Sequence, residues 1–507
     1  MIDDRMFSAR ERTKAEGLTN EAEERILSEQ WEATVEEHGE PWLERLSKKG
    51  KPVGFSKLFA PFWAAWFAVR HDALFEADEG RFYSYDPECG LWAVESPEEN
   101  LMRLAAFLLT EARRLDQPEI EERRTVAFMS DVQRLLRGIV AKRGVFARDL
   151  DAIEQRVPLA NGTFLLRDSK PEGFQKHFSK FHYSRNGIPF AFDPDAKCER
   201  FLNEFLLPAM PEETACDDAL LLQKLAGQFV LGENLAQKIL LIDGEGGSGK
   251  SALISLFALL IGEANVAELR TEHLAGRFET FGFVGKTLVI GSDVPPKFLL
   301  TPGAVFLKKL TGGDLLSAEA KTGNERFNFR GNLNVVISAN SELKIRLEDD
   351  APAWERRLVR FTWRKTPRPK NIRDFERVLM REESSGIVAW AVHGLELVLA
   401  DLKEHGELIM TEAQRQRTKD IVLQSDWLRE FLCDHVRKED GSELLKTELR
   451  GRIWEHCQQR RWHLPGKREL GSRLKVLVPE LFEARESNSC GVSQNASGFR
   501  GVTWRED

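Results

Sequence analysis

Apolar positions recur along the chain at two spacings, and these divide it into predicted helices and strands. From Phe55 to Val69, Leu58, Phe59, Phe62, Trp63, Trp66 and Phe67 fall at helical intervals, which predicts a helix supplying a core face. Residues 1 to about 50 carry Glu21, Glu23, Glu24, Glu29, Glu32, Glu36 and Glu37 among isolated apolar positions such as Ile26 and Trp31, as solvated helices do. Phe82 to Val94 alternates around Pro87 and Gly90 and predicts a β-hairpin. Helices are expected near 98–115 and 125–142. Leu159 to Arg167 reads as a second turn-and-strand unit, with Asn161-Gly162 as its tight turn. Beyond the turn-rich Asp193 to Lys197, helices are predicted from about Cys198 to Leu207 and from Asp218 to Val230.

The stretch Lys238 to Ile261 reads as strand, loop, helix. Ile239 to Ile242 is a short apolar run of the kind buried on both faces of a parallel sheet. Leu253, Ile254, Phe257, Leu260 and Ile261 then recur at helical spacing. Between them, Gly244-Glu-Gly246-Gly247-Ser248-Gly249-Lys250-Ser251 fits the G-x-x-x-x-G-K-[ST] pattern. Its glycines let backbone N–H groups approach a polyphosphate with no Cβ in the way, and the following helix adds its positive dipole end. Lys250 is placed to reach the β- and γ-phosphates, and the Ser251 hydroxyl to bind Mg²⁺. The expected ligands are therefore ATP and Mg²⁺.

Downstream strands add chemistry at their ends. Lys286 to Asp293 is an apolar strand ending in a carboxylate, the position from which a phosphate-loop NTPase holds Mg²⁺ or polarises the attacking water. Leu333 to Asn340 ends in an amide able to orient that water; an Asx-turn is the bland alternative. Trp354-Glu-Arg356-Arg357-Leu-Val-Arg-Phe361 puts two adjacent arginines in an apolar setting, read as an extended segment whose side chains point opposite ways. One of them can serve as an arginine finger toward a neighbouring subunit's nucleotide. Alternation on both sides of Thr322-Gly323-Asn324 predicts a hairpin whose tip carries Lys321 and Arg326. Basic residues on such a hairpin suit a phosphate backbone, and an ordinary solvated tip has the same composition.

Arg364 to Lys370 has the composition of a linker, and a helical segment follows from about Asp374 to His405. Helices near 424–436, 443–459 and 467–477 precede alternating strands that end at Trp504, a pattern that suggests a winged helix-turn-helix. Lys446, Arg450, Arg452, Arg460, Arg461, Lys467, Arg468, Arg473 and Lys475 outnumber Glu448, Glu455 and Glu469 there, which suits duplex DNA. Winged helices also dock proteins, so the excess alone does not choose.

Composition narrows the class. A chain of 507 residues with 30% charged and 42% hydrophobic residues predicts a soluble protein of about three domains. No apolar run in the bare sequence reaches the 18 or more residues a membrane span needs, and Met-Ile-Asp-Asp-Arg lacks a signal-peptide pattern. The six cysteines show no C-x-x-C spacing, which fits a reducing cytoplasm rather than a zinc site or a disulfide framework. A net charge of −8 does not advertise nucleic acid, yet a basic channel can hide in such a total.

The ordered set of the glycine loop, Ser292-Asp293, Leu307-Lys308-Lys309-Leu310-Thr311-Gly312-Gly313-Asp314, Asn340 and Trp354-Glu355-Arg356-Arg357 resembles the superfamily-three helicases. Within them the chain is most similar to the phage/plasmid and poxvirus primase-helicase family, and the resemblance runs over about residues 55–507. It extends upstream to Asn161-Gly162 and Phe192 to Cys198, which look like the helical collar preceding these cores. The resemblance implies an AAA+ phosphate-loop ATPase forming a hexameric ring that unwinds DNA while moving along one strand. It assigns Lys250 and Ser251 to phosphate and Mg²⁺, Asp293 to the Walker-B acid, Asn340 to the sensor, Arg356 or Arg357 to the finger, and Lys321 and Arg326 to the DNA-gripping hairpin, with Lys308 as a further candidate DNA contact.

Asp293 stands where family members commonly have Glu, and residues 1–50 are too few and too acidic for a primase domain. A separate primase or initiator is therefore an expected partner, beside single-stranded and forked or duplex DNA, with no membrane association. The expected architecture is α/β: a charged segment 1–50, a collar 51–205, the ATPase core 206–372, a helical connector 373–419 and a winged helix 420–507. An initiator or scaffold using ATP as an assembly switch is the alternative reading.

Overall fold

A computed structural model describes residues 20–50, 52–146, 154–167, 170–274, 276–295, 298–319, 326–340, 343, 351–365, 372–424, 427–459, 466–491 and 496–505. The chain is mixed α/β and forms two compact units. The first comprises Met1–Val294, Val305–Asn340 and Val359–Thr411, and the second Pro295–Ala304, Ser341–Leu358 and Glu412–Asp507.

The first unit begins with a helix, Asn20–His38, and an antiparallel pair, Trp42–Leu46 with Pro52–Leu58. The apolar run expected to be one helix from Phe55 is divided: Phe55 and Leu58 belong to the strand, and the helix is Ala60–Arg70. Pro61 in the first turn favours a start there, because its missing N–H is an orphan donor anyway. Upstream of it, the Phe55 amide donates to Glu119 Oε2 at 2.8 Å and so stays outside any helix ladder. Trp31 from the acidic N-terminal helix packs edge-on against Phe62 and Trp66, so this helix is less solvated than its charge suggests.

The hairpin Arg81–Asp86 with Leu91–Glu95 is present as expected, within a four-stranded sheet. The helices are Pro97–Arg114 and Val126–Ile139. Ser96 and Glu99 form a reciprocal capping box that fixes where the first of these begins.

Glu154–Leu159, Gly162–Arg167 and Lys170–Gln175 form an antiparallel three-stranded sheet. Leu159 pairs with Gly162, so the turn residues are Ala160 and Asn161, one position earlier than expected. Gly162 is the first residue of the return strand, where a Cβ would lie 2.1 Å from the Gln175 carbonyl oxygen. Asn161 is held by two reciprocal bonds with the Phe192 backbone, each 2.9 Å, which join this turn to the segment beginning at Phe192.

Next come α1 (Ala215–Leu231), β1 (Ile239–Asp243), α2 (Lys250–Ile261), β2 (Val266–Glu268), β3 (Leu288–Gly291), α3 (Pro302–Thr311), β4 (Leu315–Glu319), β5 (Arg326–Arg330), β6 (Asn334–Ala339), α4 (Ala351–Arg357), β7 (Leu358–Thr362) and α5 (Phe375–His405). One sheet has the order β2-β3-β6-β1-β7, and its first four strands run parallel. Ile239 to Ile242 are all buried, as a strand covered on both faces requires. In this order β6 lies between β1 and β3, which brings the carboxyl ends of three strands side by side. Ligands of open parallel sheets bind outside those ends. β4 and β5 pair as the expected hairpin, with its turn 320–325 outside the described residues.

Helices α1 and α5 meet backbone to backbone. A Cβ at Gly394 would lie 1.9 Å from the Gln223 carbonyl oxygen, and one at Gly227 would lie 2.2 Å from the Leu395 nitrogen. Glu383, non-helical within α5, turns its carboxylate onto the amides of Arg200 and Phe201 at 3.0 and 2.8 Å. The 31-residue α5 is long and apolar enough to cross a membrane by length and composition, unlike what the bare sequence led us to expect. Half of its apolar window is buried inside the molecule, and Asp401 pairs with Lys224 at 2.6 Å.

In the second unit, Trp427–His435, Val436–Leu445, Lys446–Gln459, Lys467–Phe482, Arg485–Cys490 and Ala496–Trp504 follow one another as helix, strand, two helices and two strands. The C-terminal strand lies in the middle of the sheet. Leu428, Leu432, Leu449, Ile453, Leu474, Val478, Phe499 and Val502 form its core. The first strand was not expected, because Val436 to Leu445 is mostly polar and exposed; its pairing with Ala496–Trp504 makes it a strand.

Candidate functional site

The glycine loop leaves the carboxyl end of β1 and runs straight into α2. Gly244, Gly247 and Gly249 have φ of 154°, 75° and 102°, and Gly249 caps α2 with no side-chain hydrogen bond. The first amides of α2 therefore carry their partial positive charge toward the loop. Gly244 admits no side chain, since a Cβ would stand 2.1 Å from the Trp363 carbonyl oxygen. Gly246, Gly247 and Ser251 are exposed, while Ser248 is buried.

Lys250 folds back into this loop. Its ammonium donates to the carbonyls of Gly244 at 2.7 Å and Glu245 at 2.9 Å, with Ser248 Oγ at 3.5 Å. Burial holds it below the usual lysine range, and the carboxylates of Asp293 and then Asp243 pull it back up.

Asp293 lies two residues beyond β3, at a left-handed φ of 49° that Asp tolerates better than most residues. Its amide donates to Ser338 Oγ at 3.1 Å, and the Val294 amide donates to the Ser338 carbonyl at 2.9 Å. Asn340, just past β6, donates from Nδ2 to Asp293 Oδ1 at 3.0 Å. Two residues picked out separately, 47 positions apart, thus touch. Ser251 and Asp293 are both exposed. Among the described residues no cluster of three His, Cys, Asp or Glu side chains could hold a metal ion. One hydroxyl and one carboxylate fit Mg²⁺, which keeps several waters and relies on phosphate oxygens, and do not fit a caged transition metal.

Sequence reading missed Asp243 and Arg360. Arg360 on β7 donates through Nε to Asp243 Oδ2 at 2.9 Å, and its Nη2 donates to the same oxygen. No spacing signal announces a partner 117 residues away; only a charged residue within an otherwise apolar strand end marks either position.

The other expected residues fall as follows. Lys308 and Lys309 sit in the last turn of α3. Lys321 lies outside the described residues, and Arg326 begins β5. The hairpin is held near its turn end, where Arg277 grips Glu319, the last residue of β4, with two bonds of 2.6 Å. Arg356 and Arg357 belong to the second unit and end a helix, so they are not on the extended segment expected. Adjacent side chains there are about 100° apart, which leaves the two arginines on neighbouring rather than opposite faces. Arg357 Nη1 donates to the Ala353 carbonyl at 3.4 Å, and Arg356 is exposed. Lys467 and Arg468 are exposed at the start of a helix, while Arg460 and Arg461 lie outside the described residues.

Residues 242–357 match the model of a family described as being of unknown function, DUF5906. The match runs from the strand before the glycine loop to the arginine pair. The fold is similar to the apo C-terminal region of NrS-1 in its A form, at 12% identity and a TM-score of 0.46 over 85% of this chain and 96% of that one. A second apo structure of that region shows 13% identity and a TM-score of 0.45 over 85% and 96%. No functionally curated protein matches the chain.

Proposed function

We propose that this protein is an ATP-dependent DNA helicase of phage, plasmid or mobile-element replication, a ring-forming motor that moves on single-stranded DNA. The observation that carries the reading is the convergence of the glycine loop with the Asp293–Asn340 contact at the carboxyl ends of neighbouring parallel strands. The strand order and that contact support an AAA+ ATPase core. The helix-strand-helix-helix-strand-strand order of the C-terminal segment supports a winged helix.

In this reading the loop amides and the α2 N-terminus hold the polyphosphate. Lys250 exchanges the carbonyls of Gly244 and Glu245 for the β- and γ-phosphate oxygens. Ser251 and Asp293 would hold Mg²⁺, which would supply positive charge against the polyphosphate. Asn340 fixes Asp293 and orients a water that attacks the γ-phosphorus as the bond to the β-phosphate oxygen breaks. The electron pair of the broken bond stays on the β-phosphate oxygen of ADP, the γ-phosphorus leaves with the water oxygen as inorganic phosphate, and the released proton passes to solvent. Arg356 or Arg357 completes a neighbouring subunit's site, so hydrolysis depends on assembly, expected as a hexamer. The β4–β5 hairpin, with Lys321 and Arg326 near its tip and Lys308 upstream, engages the strand; Arg460, Arg461, Lys467 and Arg468 engage duplex DNA. The hydrolytic machinery is expected to work in the cytoplasm, with a separate primase as partner.

Lys250→Ala tests the proposal. ATPase and strand separation should be lost together, and strand separation that persists in this variant overturns the motor assignment.

A further inference from the structure

Asp243 is the last residue of β1, and the glycine loop opens at the next position. Its carbonyl accepts from the Trp363 amide at 2.7 Å, and Gly244 sits against the Trp363 carbonyl oxygen with no room for a Cβ. The root of the loop is therefore clamped to the backbone just beyond β7. The clamp is completed by Arg360, whose Nε and Nη2 both donate to Asp243 Oδ2, with side chains only 16% and 13% exposed. The second carboxylate oxygen, Oδ1, is buried with no hydrogen-bond partner.

That arrangement is poor as a device for stability. A buried ion pair is often no better than apolar residues of the same volume, and an orphaned carboxylate oxygen adds a desolvation cost. It is also misplaced by charge alone, since a carboxylate at the root of an anion-binding loop repels the anion unless a cation is fixed beside it. Arg360 supplies that cation in a planar two-donor grip that lysine cannot reproduce.

We propose that Asp243 and Arg360 are a positioning pair for the glycine loop, holding its root so that the loop is shaped for a nucleoside triphosphate before the ligand arrives. The inference rests on the nucleotide-binding reading of that loop. Preorganisation acts on affinity, so the pair governs how tightly nucleotide is held rather than how fast it is cleaved.

The test uses the full chain, a fluorescent ATP analogue with Mg²⁺, steady-state ATPase and thermal melting. Arg360→Lys keeps the charge and removes the fork; it should weaken nucleotide binding by about tenfold and leave kcat at saturating ATP within about twofold. Asp243→Glu, which keeps the charge and displaces the carboxylate, should do the same and serves if Arg360→Lys does not fold. The double variant Asp243→Asn/Arg360→Gln removes both charges, and should recover melting temperature without recovering affinity. Binding within about twofold of wild type in a folded Arg360→Lys or Asp243→Glu protein overturns the inference. So does a double variant that regains affinity together with stability, because the pair is then only structural. Lys250→Ala separates the two levels: if it binds the analogue as well as wild type, the nucleotide reading itself falls, whatever Arg360 does.

Discussion

Asn340→Asp probes the contact at the centre of the site. It replaces an amide that donates to Asp293 Oδ1 at 3.0 Å with a second carboxylate at the same position. Two unit charges at that separation repel by about 1.4 kcal/mol in a water-like dielectric and by about 5.5 kcal/mol at an effective dielectric of 20. Both residues are exposed, so the lower figure applies. Losing the hydrogen bond adds about 1 kcal/mol.

Together these predict a fall in kcat of roughly 30- to 100-fold for Asn340→Asp. Asn340→Ala loses only the donor and should fall about fivefold. KM for ATP should stay within about threefold in both, because neither residue belongs to the loop that holds the phosphates. The assay is steady-state ATPase with Mg²⁺, paired with a nucleotide-binding titration. Hydrolysis by Asn340→Asp at the rate of Asn340→Ala or faster refutes the idea that Asp293 depends on this amide.

Three further outcomes are expected. Gly244→Ala forces a Cβ to 2.1 Å from a backbone oxygen and should reduce nucleotide affinity by about a hundredfold, read by titration, since the loop and not a flexible side chain must move. Gly394→Ala meets the Gln223 carbonyl oxygen at 1.9 Å and should lower unfolding free energy by about 3 kcal/mol in denaturant melts. Lys321→Ala/Arg326→Ala should keep ATPase activity while losing unwinding; unchanged unwinding and unchanged single-strand affinity would remove the hairpin from the motor.

Much of the frame was legible because local chemistry determined it. The apolar run Ile239 to Ile242 and the glycines after it leave few conformations other than a buried strand and a tight loop. Asp293 and Asn340 were legible as polar residues closing apolar strands, but their contact was not, since it depends on β6 lying next to β3. Arg356 and Arg357 were misread as extended: a seven-residue helix around the buried Trp354 is too short to leave a clear periodic signal. Val436–Leu445 was invisible for the opposite reason, a polar edge strand whose conformation comes from its partner. The Asp243–Arg360 pair joins two strands distant in sequence, and nothing local to either residue specifies the other.

The most direct measurement is strand separation on a forked DNA duplex, run in parallel with phosphate release, on protein whose mass in solution has been determined. The account predicts that single-stranded DNA stimulates hydrolysis and that strands separate with ATP but not with a non-hydrolysable analogue. Hydrolysis indifferent to DNA, or separation that proceeds with the analogue, contradicts it.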